Sequence, residues 1–267
     1  MMRILDFNLA GLIPREALAR VLAVLLLTLS FDSSLAAEPL VVAVNNNDRP
    51  FCWRDERGEL TGFSVDIGRA LCRVMASECR FVASNFADLL PGVAEKRFDF
   101  AVANILRTPE REKVVDFTNA FWRSSSMFVA KPGAIAEVSS RALKGKTVGV
   151  QTGSVQEKYL REHYADTVLL MSFPTNTERN TALVSGKVDL IFGSTVSHYA
   201  FLTTKEGAGF DFVGSPIDGQ GLGGDVAIPL AKGRDDLRKR LNSAIDTILH
   251  DGTFAKINNT YFSASVF

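Results

Sequence analysis

Apolar residues follow two rhythms along this chain. Short apolar runs at 40–44, 80–83, 98–105, 127–130, 147–150, 168–171, 188–192 and 226–230 have the length of buried strands. Between them, apolar positions recur every three or four residues. Phe63, Ile67, Ala70, Leu71, Val74 and Met75 form one such stripe. Leu237, Leu241, Ala244, Ile245 and Ile248 form another on a helix expected over 235–249, with Gly252 as its stop. Further helices are expected from Phe86, around 178–185, and through Ile257 and Tyr261. Strand–helix alternation of this kind predicts an α/β protein whose mostly parallel sheets are covered by helices. In such sheets ligands sit beyond the carboxyl ends of the strands.

Polar punctuation between these elements carries the candidate chemistry. Thr108-Pro109-Glu110-Arg111 follows the run at 98–105. Thr suits an N-cap, Pro the first helical position, and Glu the positive end of the helix dipole. Arg111 therefore falls in the first turn of a short helix at the mouth of a strand. Its rigid fork of donors, beside backbone N–H groups without helical partners, suits a carboxylate. The competing reading is a capped surface helix with a solvated Arg. Gly153-Ser154-Val155-Gln156-Glu157 opens a second helix, with Ser154 and Glu157 at capping-box spacing. Gly153 there allows close backbone approach to a ligand, and the alternative is a purely structural cap. Asn45-Asn46-Asn47-Asp48 is a polar loop able to form side-chain turns. The spacing of Gly219, Gly221 and Gly224 matches G-x-G-x-x-G, but it precedes a strand-like run instead of opening a helix. It reads as flexible backbone between domains.

Charge and composition narrow the classes. The 267 residues are 46% hydrophobic and 22% charged, enough for one large or two modest domains. Lys+Arg and Asp+Glu both number 30, with no dense basic cluster, so nucleic acid is not an expected partner. Residues 1–37 read as a signal peptide: Arg3, Arg15 and Arg20, an apolar core at 21–29 too short to span a bilayer, then Ser34-Leu35-Ala36-Ala37 for cleavage. An uncleaved anchor is the alternative. No Cys marks that junction for lipid attachment, and no later run is long enough to cross a membrane. An exported soluble protein is expected.

Cys72 and Cys79 are seven apart. On one continuous helix their Cα atoms would lie about 10 Å apart, whereas a disulfide needs less than about 7 Å. A bridge therefore requires the helix to end between them, with 76–78 the plausible place; otherwise both are buried thiols. Cys52 reads as a half-buried single thiol. The three histidines, His163, His198 and His250, are scattered without metal-ligand spacing, so neither metal nor cofactor is expected. No nucleophile–base arrangement is visible either.

Five segments together resemble one family. They are GELTGFSVDIGRALC at 58–72, TPER at 108–111 followed by VVDFT, LKGKTVGVQTGS at 143–154, LVSGKVD at 183–189 and DGTFAKINNTYF at 251–262. They are similar to the bacterial periplasmic amino-acid-binding proteins of ABC importers, nearest the lysine/arginine/ornithine- and histidine-binding branch and its opine-binding relatives. The resemblance implies a type II periplasmic-binding-protein clamp with two crossovers and a Cys72–Cys79 disulfide. It places lobe 1 at 38–122 plus 225–267 and lobe 2 at 123–224. It further implies a monomer in the periplasm that delivers its ligand to a membrane permease.

Carried over by residue, Arg111 grips the ligand carboxylate and Ser154 assists from lobe 2. Phe86 packs on the ligand side chain. Asn45, Asp48, Gly153, Asn104, Gln151 and Ser194 complete the expected ligand contacts. By the resemblance, Asp48 stands where the branch has an aromatic residue and Asn45 where it has an Asp that can pair with a basic side chain. Two further departures matter more. Leu106 replaces a small hydroxyl residue, and Ser194 replaces the aspartate that pairs with the ligand α-amino group. Losing one partner of a desolvated charge pair costs about 3–5 kcal/mol. Either Asp48 receives the amine, or the ligand's amine is absent, displaced or substituted. A cyclohexadienyl-dehydratase-like enzyme on the same clamp is the alternative function. Asp48 is the one acid that can be placed in its cleft.

Overall fold

The computed structural model describes residues 38–262; the expected signal peptide lies outside them. The first strand, β1 (Leu40–Asn45), leads through a loop to the short pair β2 (Trp53–Arg54) and β3 (Leu60–Thr61). Helix α1 (Phe63–Val74), strand β4 (Cys79–Ser84), helix α2 (Phe86–Ala94) and strand β5 (Phe100–Val102) follow. The single turn α3 (Pro109–Glu112) and strand β6 (Asp116–Phe117) come next. Strand β7 (Trp122–Ser124) then runs into β8 (Ser126–Ala130), and α4 (Ser140–Leu143) precedes β9 (Thr147–Gln151). The chain continues through α5 (Val155–His163), β10 (Leu169–Phe173), α6 (Asn176–Val184), β11 (Leu190–Ser194), α7 (Thr195–Leu202) and β12 (Asp211–Ile217). Strands β13 (Gly224–Val226) and β14 (Pro229–Leu230) and helices α8 (Asp235–His250) and α9 (Thr253–Tyr261) complete it.

The strands form two five-stranded sheets, ordered β4-β1-β5-β14-β6 and β10-β9-β11-β8-β12. In each, the first three strands are parallel and the remainder antiparallel. The chain leaves the first sheet through β7 and returns through β13, and these two crossing strands pair antiparallel. Two lobes joined by two adjacent strands are therefore the architecture.

Side-chain alternation explains why strands such as β1 are apolar throughout. Val42 and Val44 join Ile67 and Leu71 of α1 and Leu241 and Ile245 of α8 on one face. Ala43 points to the other face with Leu89 and Val93 of α2. A sheet covered on both faces buries both phases of the period-two pattern. The second sheet repeats this, with Val148, Val150 and Phe192 on one side and Val129 and Ile191 on the other. At the crossover, Phe63 stacks on Trp122 at 5.1 Å, and Phe51 meets Phe63 edge-on at 6.1 Å.

Helix α1 stops at Val74, and Ala76 turns back with φ +48°. That reversal brings the Cys72 and Cys79 Cα atoms to 6.3 Å, and the disulfide is formed. The helix end demanded by the spacing is thus where the bridge needs it. Other expectations change. The run at 98–105 is a strand only over Phe100–Val102, because the chain then peels away toward α3. The run at 226–230 splits between β13 and β14 as its partner changes from β7 to β5 and β6. The Gly219–Gly224 stretch is a tight turn, closed by Leu222 N–H donating to Gly219 C=O at 3.0 Å, and Gly224 already belongs to β13. Cys52 is fully buried instead of half-buried. Burial and then Asp48 push its thiol up to about 12, so it stays protonated and inert.

Closing a loop of this size by a disulfide stabilises a fold by about 2.5 kcal/mol in the chain-entropy view. Replacing both Cys72 and Cys79 by Ser is expected to lower stability by about that amount, read as a reduced midpoint in urea denaturation. A midpoint equal to that of the parent would assign the bridge no stabilising role.

Candidate functional site

The carboxyl ends of the parallel strands of both sheets converge on one cleft. Asn45 ends β1, Gln151 ends β9 and Ser194 ends β11, while Asn104 and Asn176 lie just beyond β5 and β10. The cavity they line is about 30 Å³. That leaves room for about two water molecules. A ligand of amino-acid size therefore enters only when the lobes separate.

Arg111 sits where its capping signal predicts. Thr108 Oγ1 accepts the Arg111 N–H at 3.4 Å, and Pro109 occupies the first helical position. The Arg111 side chain turns inward and is 9% exposed. Its Nη1 donates to Leu106 C=O at 2.8 Å, and its guanidinium lies 5.8 Å from the Phe86 ring centre. Burial pushes Arg111 down to about 10, so it remains cationic at neutral pH. Among the described residues no carboxylate comes within ion-pair reach of it.

From the opposite lobe, Ser154 caps α5 by accepting the Glu157 N–H at 3.1 Å. Glu157 Oε2 in turn accepts the Gly153 N–H at 2.7 Å. Burial works against the Glu157 charge, but Ser172, Arg161 and Gly153 outweigh it and hold the carboxyl below the usual glutamate range. Gly153 has φ +78°, and a Cβ there would lie 2.7 Å from Ala87 Cα at the start of α2. Its missing side chain lets the lobes meet.

Among the described residues, hydrogen bonds from four side chains span the closed cleft. Asn176 Nδ2 donates to Asp48 Oδ1 at 2.9 Å and Thr177 Oγ1 to Asn47 C=O at 2.7 Å. Asn104 Nδ2 donates to Ser194 Oγ at 2.5 Å, and Gln151 Nε2 to Asn45 Oδ1 at 3.4 Å. Asn45 Nδ2 takes the other Asp48 oxygen at 2.8 Å. Both Asp48 oxygens are thus occupied by carboxamides, while burial pushes its pKa up. The side-chain oxygens of Asn104 and Asn176 are buried without partners. Leu106 presents an apolar wall, and Ser194 shares a hydrogen bond with Ser124 at 3.1 Å. Every expected site residue except Gly153 lines this cavity; Gly153 borders the adjoining opening between α3 and α5.

The cavity also contains residues that the sequence reading passed over, namely Arg179, Asn176, Gln156 and Ser197. Arg179 is 1% exposed, on the same helix face as Ala182 and Leu183. A cation at i, with apolar residues at i+3 and i+4 on a buried face, was the available signal.

A two-lobed α/β clamp closing on a polar cleft is the architecture of a solute receptor. The chain belongs to the bacterial extracellular solute-binding proteins, family 3, whose model matches residues 40–264. It is 33% identical over 255 residues to an L-arginine-binding protein of Pseudomonas aeruginosa, covering 94% of this chain and 98% of that one. A putative ABC transporter arginine-binding protein 2 of Escherichia coli is 31% identical, covering 86% of this chain and 93% of the relative. Among solved structures, an ancestral arginine-binding protein bound to arginine superposes with a TM-score of 0.77 at 29% identity, covering 85% of this chain and 99% of that one.

Gly153→Val places a branched side chain against Ala87 and at a positive φ. The variant is expected to rest more open, with a larger radius of gyration than the parent by small-angle X-ray scattering. An unchanged radius would show that this contact does not limit closure.

Proposed function

We propose that the chain is the soluble periplasmic binding subunit of an ABC importer, taking a small carboxylate-bearing amino acid or amino-acid derivative. It performs no chemistry, acts as a monomer, and hands its ligand to a membrane permease. Lobe 1 comprises 38–122 and 225–267, and lobe 2 comprises 123–224. The observation that carries this reading is Arg111: a buried guanidinium, cationic, facing the cleft, with no carboxylate partner among the described residues. A ligand carboxylate completes it through paired charge-assisted hydrogen bonds. Ser154 contributes from lobe 2 and Phe86 supplies an apolar wall. Contacts from both lobes exist only in the closed state, and that differential affinity is what drives closure.

The relatives' names favour arginine as ligand, but the Ser194 hydroxyl argues against an ordinary amino-acid site. It cannot supply charge to an α-ammonium. Asp48, already bonded to two carboxamides, is a poor replacement. The ligand's amine is therefore absent, displaced or substituted, with Asn104 and Asn176 oxygens available to its other donors. A dehydratase is disfavoured because Asp48 is the one acidic side chain lining the cavity and both its oxygens are engaged.

The test is a thermal-shift screen of refolded, ligand-free mature protein against amino acids, opine-like conjugates and amine-free carboxylates. A binder at 100 times its Kd stabilises by about 2.7 kcal/mol. Arg111→Met is expected to abolish the shift of any hit, a loss of about 3–5 kcal/mol of binding free energy. Ser194→Asp is expected to improve binding of plain α-amino acids. Tight binding of unmodified amino acids that is indifferent to Ser194→Asp would sink the altered-amine reading, and turnover of prephenate would replace the receptor with an enzyme.

A further inference from the structure

Arg179 is a second buried guanidinium in the same cleft, contributed by the opposite lobe from Arg111. Its Nε and Nη2 donate only to the neutral Asn180 side chain, at 3.2 and 3.0 Å. Its Nη1 has no hydrogen-bond partner among the described residues, and no carboxylate lies within ion-pair reach. Asp48 is near enough to act on it through charge, but both Asp48 oxygens are taken by Asn45 and Asn176. Residue 193 decides where this cation faces. A Cβ on Gly193 would lie 2.3 Å from Arg179 Nη1 and 2.5 Å from His198 Nε2. The two nitrogens thus pack against Gly193 in the space that a side chain at 193 would need. Gly193 itself lines the cavity. His198 is fully buried, with neither ring nitrogen partnered. Burial and the Arg179 charge hold its pKa well below the ordinary histidine value, so it is neutral and keeps one N–H to donate.

We propose that Arg179 forms a second anion-binding position, and that the ligand is a dicarboxylate held by Arg111 at one end and Arg179 at the other. This rests on the assignment of one carboxylate to Arg111. The lining side chains carry two cations against one carboxylate. In the closed cleft, like charges from opposite lobes then oppose closure until an anion lies between them. A dicarboxylate engages each lobe with one end, so its affinity for the closed form exceeds that for the open form. The chemical class is a small molecule with two carboxylates, with or without an amino substituent; Arg179 makes the pocket select for the second negative charge.

The test uses refolded mature protein, isothermal titration calorimetry and thermal shift. The probes are malonate, succinate, glutarate and adipate, with valerate as the matched monocarboxylate of glutarate, and L-glutamate against L-glutamine. Glutarate or another dicarboxylate, or glutamate, is expected to bind at least tenfold more tightly than its match with a single carboxylate. Arg179→Met should weaken that binding on the order of 100-fold and erase the discrimination, whereas Arg179→Lys should retain part of it. Equal binding of the matched pairs, no binding of any dicarboxylate, or discrimination that survives Arg179→Met overturns the proposal. Should Arg179→Met fail to fold, the parent's own comparison of matched pairs decides. Arg111→Met separates the two ideas. Arg111-dependent binding of monocarboxylates with no gain from a second carboxylate refutes this site alone, whereas dicarboxylate binding indifferent to Arg111→Met refutes the Arg111 assignment.

Discussion

Cations buried without counter-charges are what the cleft is built around. Arg111 and Arg179 are almost removed from water, yet neither meets a carboxylate within ion-pair distance among the described residues. Taking a charge out of water costs several kcal/mol unless it is paired and hydrogen-bonded. The fold meets part of that cost with neutral acceptors, the Leu106 carbonyl for Arg111 and the Asn180 side chain for Arg179. The remaining guanidinium N–H groups meet no carboxylate among the described residues.

The surrounding structure holds that deficit open without collapsing onto it. Each lobe is a sheet covered on both faces, so its interior is rigid and its strand ends are fixed relative to one another. The lobes touch through amide and hydroxyl contacts: Asn176 with Asp48, Asn104 with Ser194, Thr177 with the Asn47 carbonyl. Contacts of this kind exchange readily for water and contribute only about 0.5–1.5 kcal/mol each. Gly153 adds close approach instead of adhesion. A closure held by weak polar contacts is one that a charged ligand can dominate. The paired strands β7 and β13 confine the movement by tying the lobes together at one edge.

Ser194 ends β11 inside the cleft. Its hydroxyl bonds Asn104 and Ser124, so the position is neutral and internally satisfied. Gly193 next to it lets Arg179 and His198 pack directly against the strand. The charge in the cleft comes from Arg111, Arg179 and Asp48, with neutral residues at the end of β11.

Much of this was legible from the sequence, for local reasons. Capping signals placed Arg111 and Ser154 at helix starts because backbone N–H groups there need nearby acceptors, whatever the rest of the fold does. The Cys72–Cys79 spacing required a helix end, and Ala76 provides it. Apolar periodicity located α1 and α8 because each buries one face. Helix α7 was missed because Thr195–Leu202 is apolar around most of its circumference, leaving no stripe to read. Strand β12 was missed because a bulge between Val213 and Ile217 interrupts its alternation. Segment 226–230 looked like one strand, and only its change of pairing partner divides it in two. What tertiary structure alone decided is the company each polar group keeps. Asp48 meets Asn176 across 128 positions of sequence, and Arg179 faces the same cavity as Arg111 although nothing local joins them. Local backbone chemistry settles how a segment folds, but burial and charge pairing are set by which distant segments the closed lobes bring together.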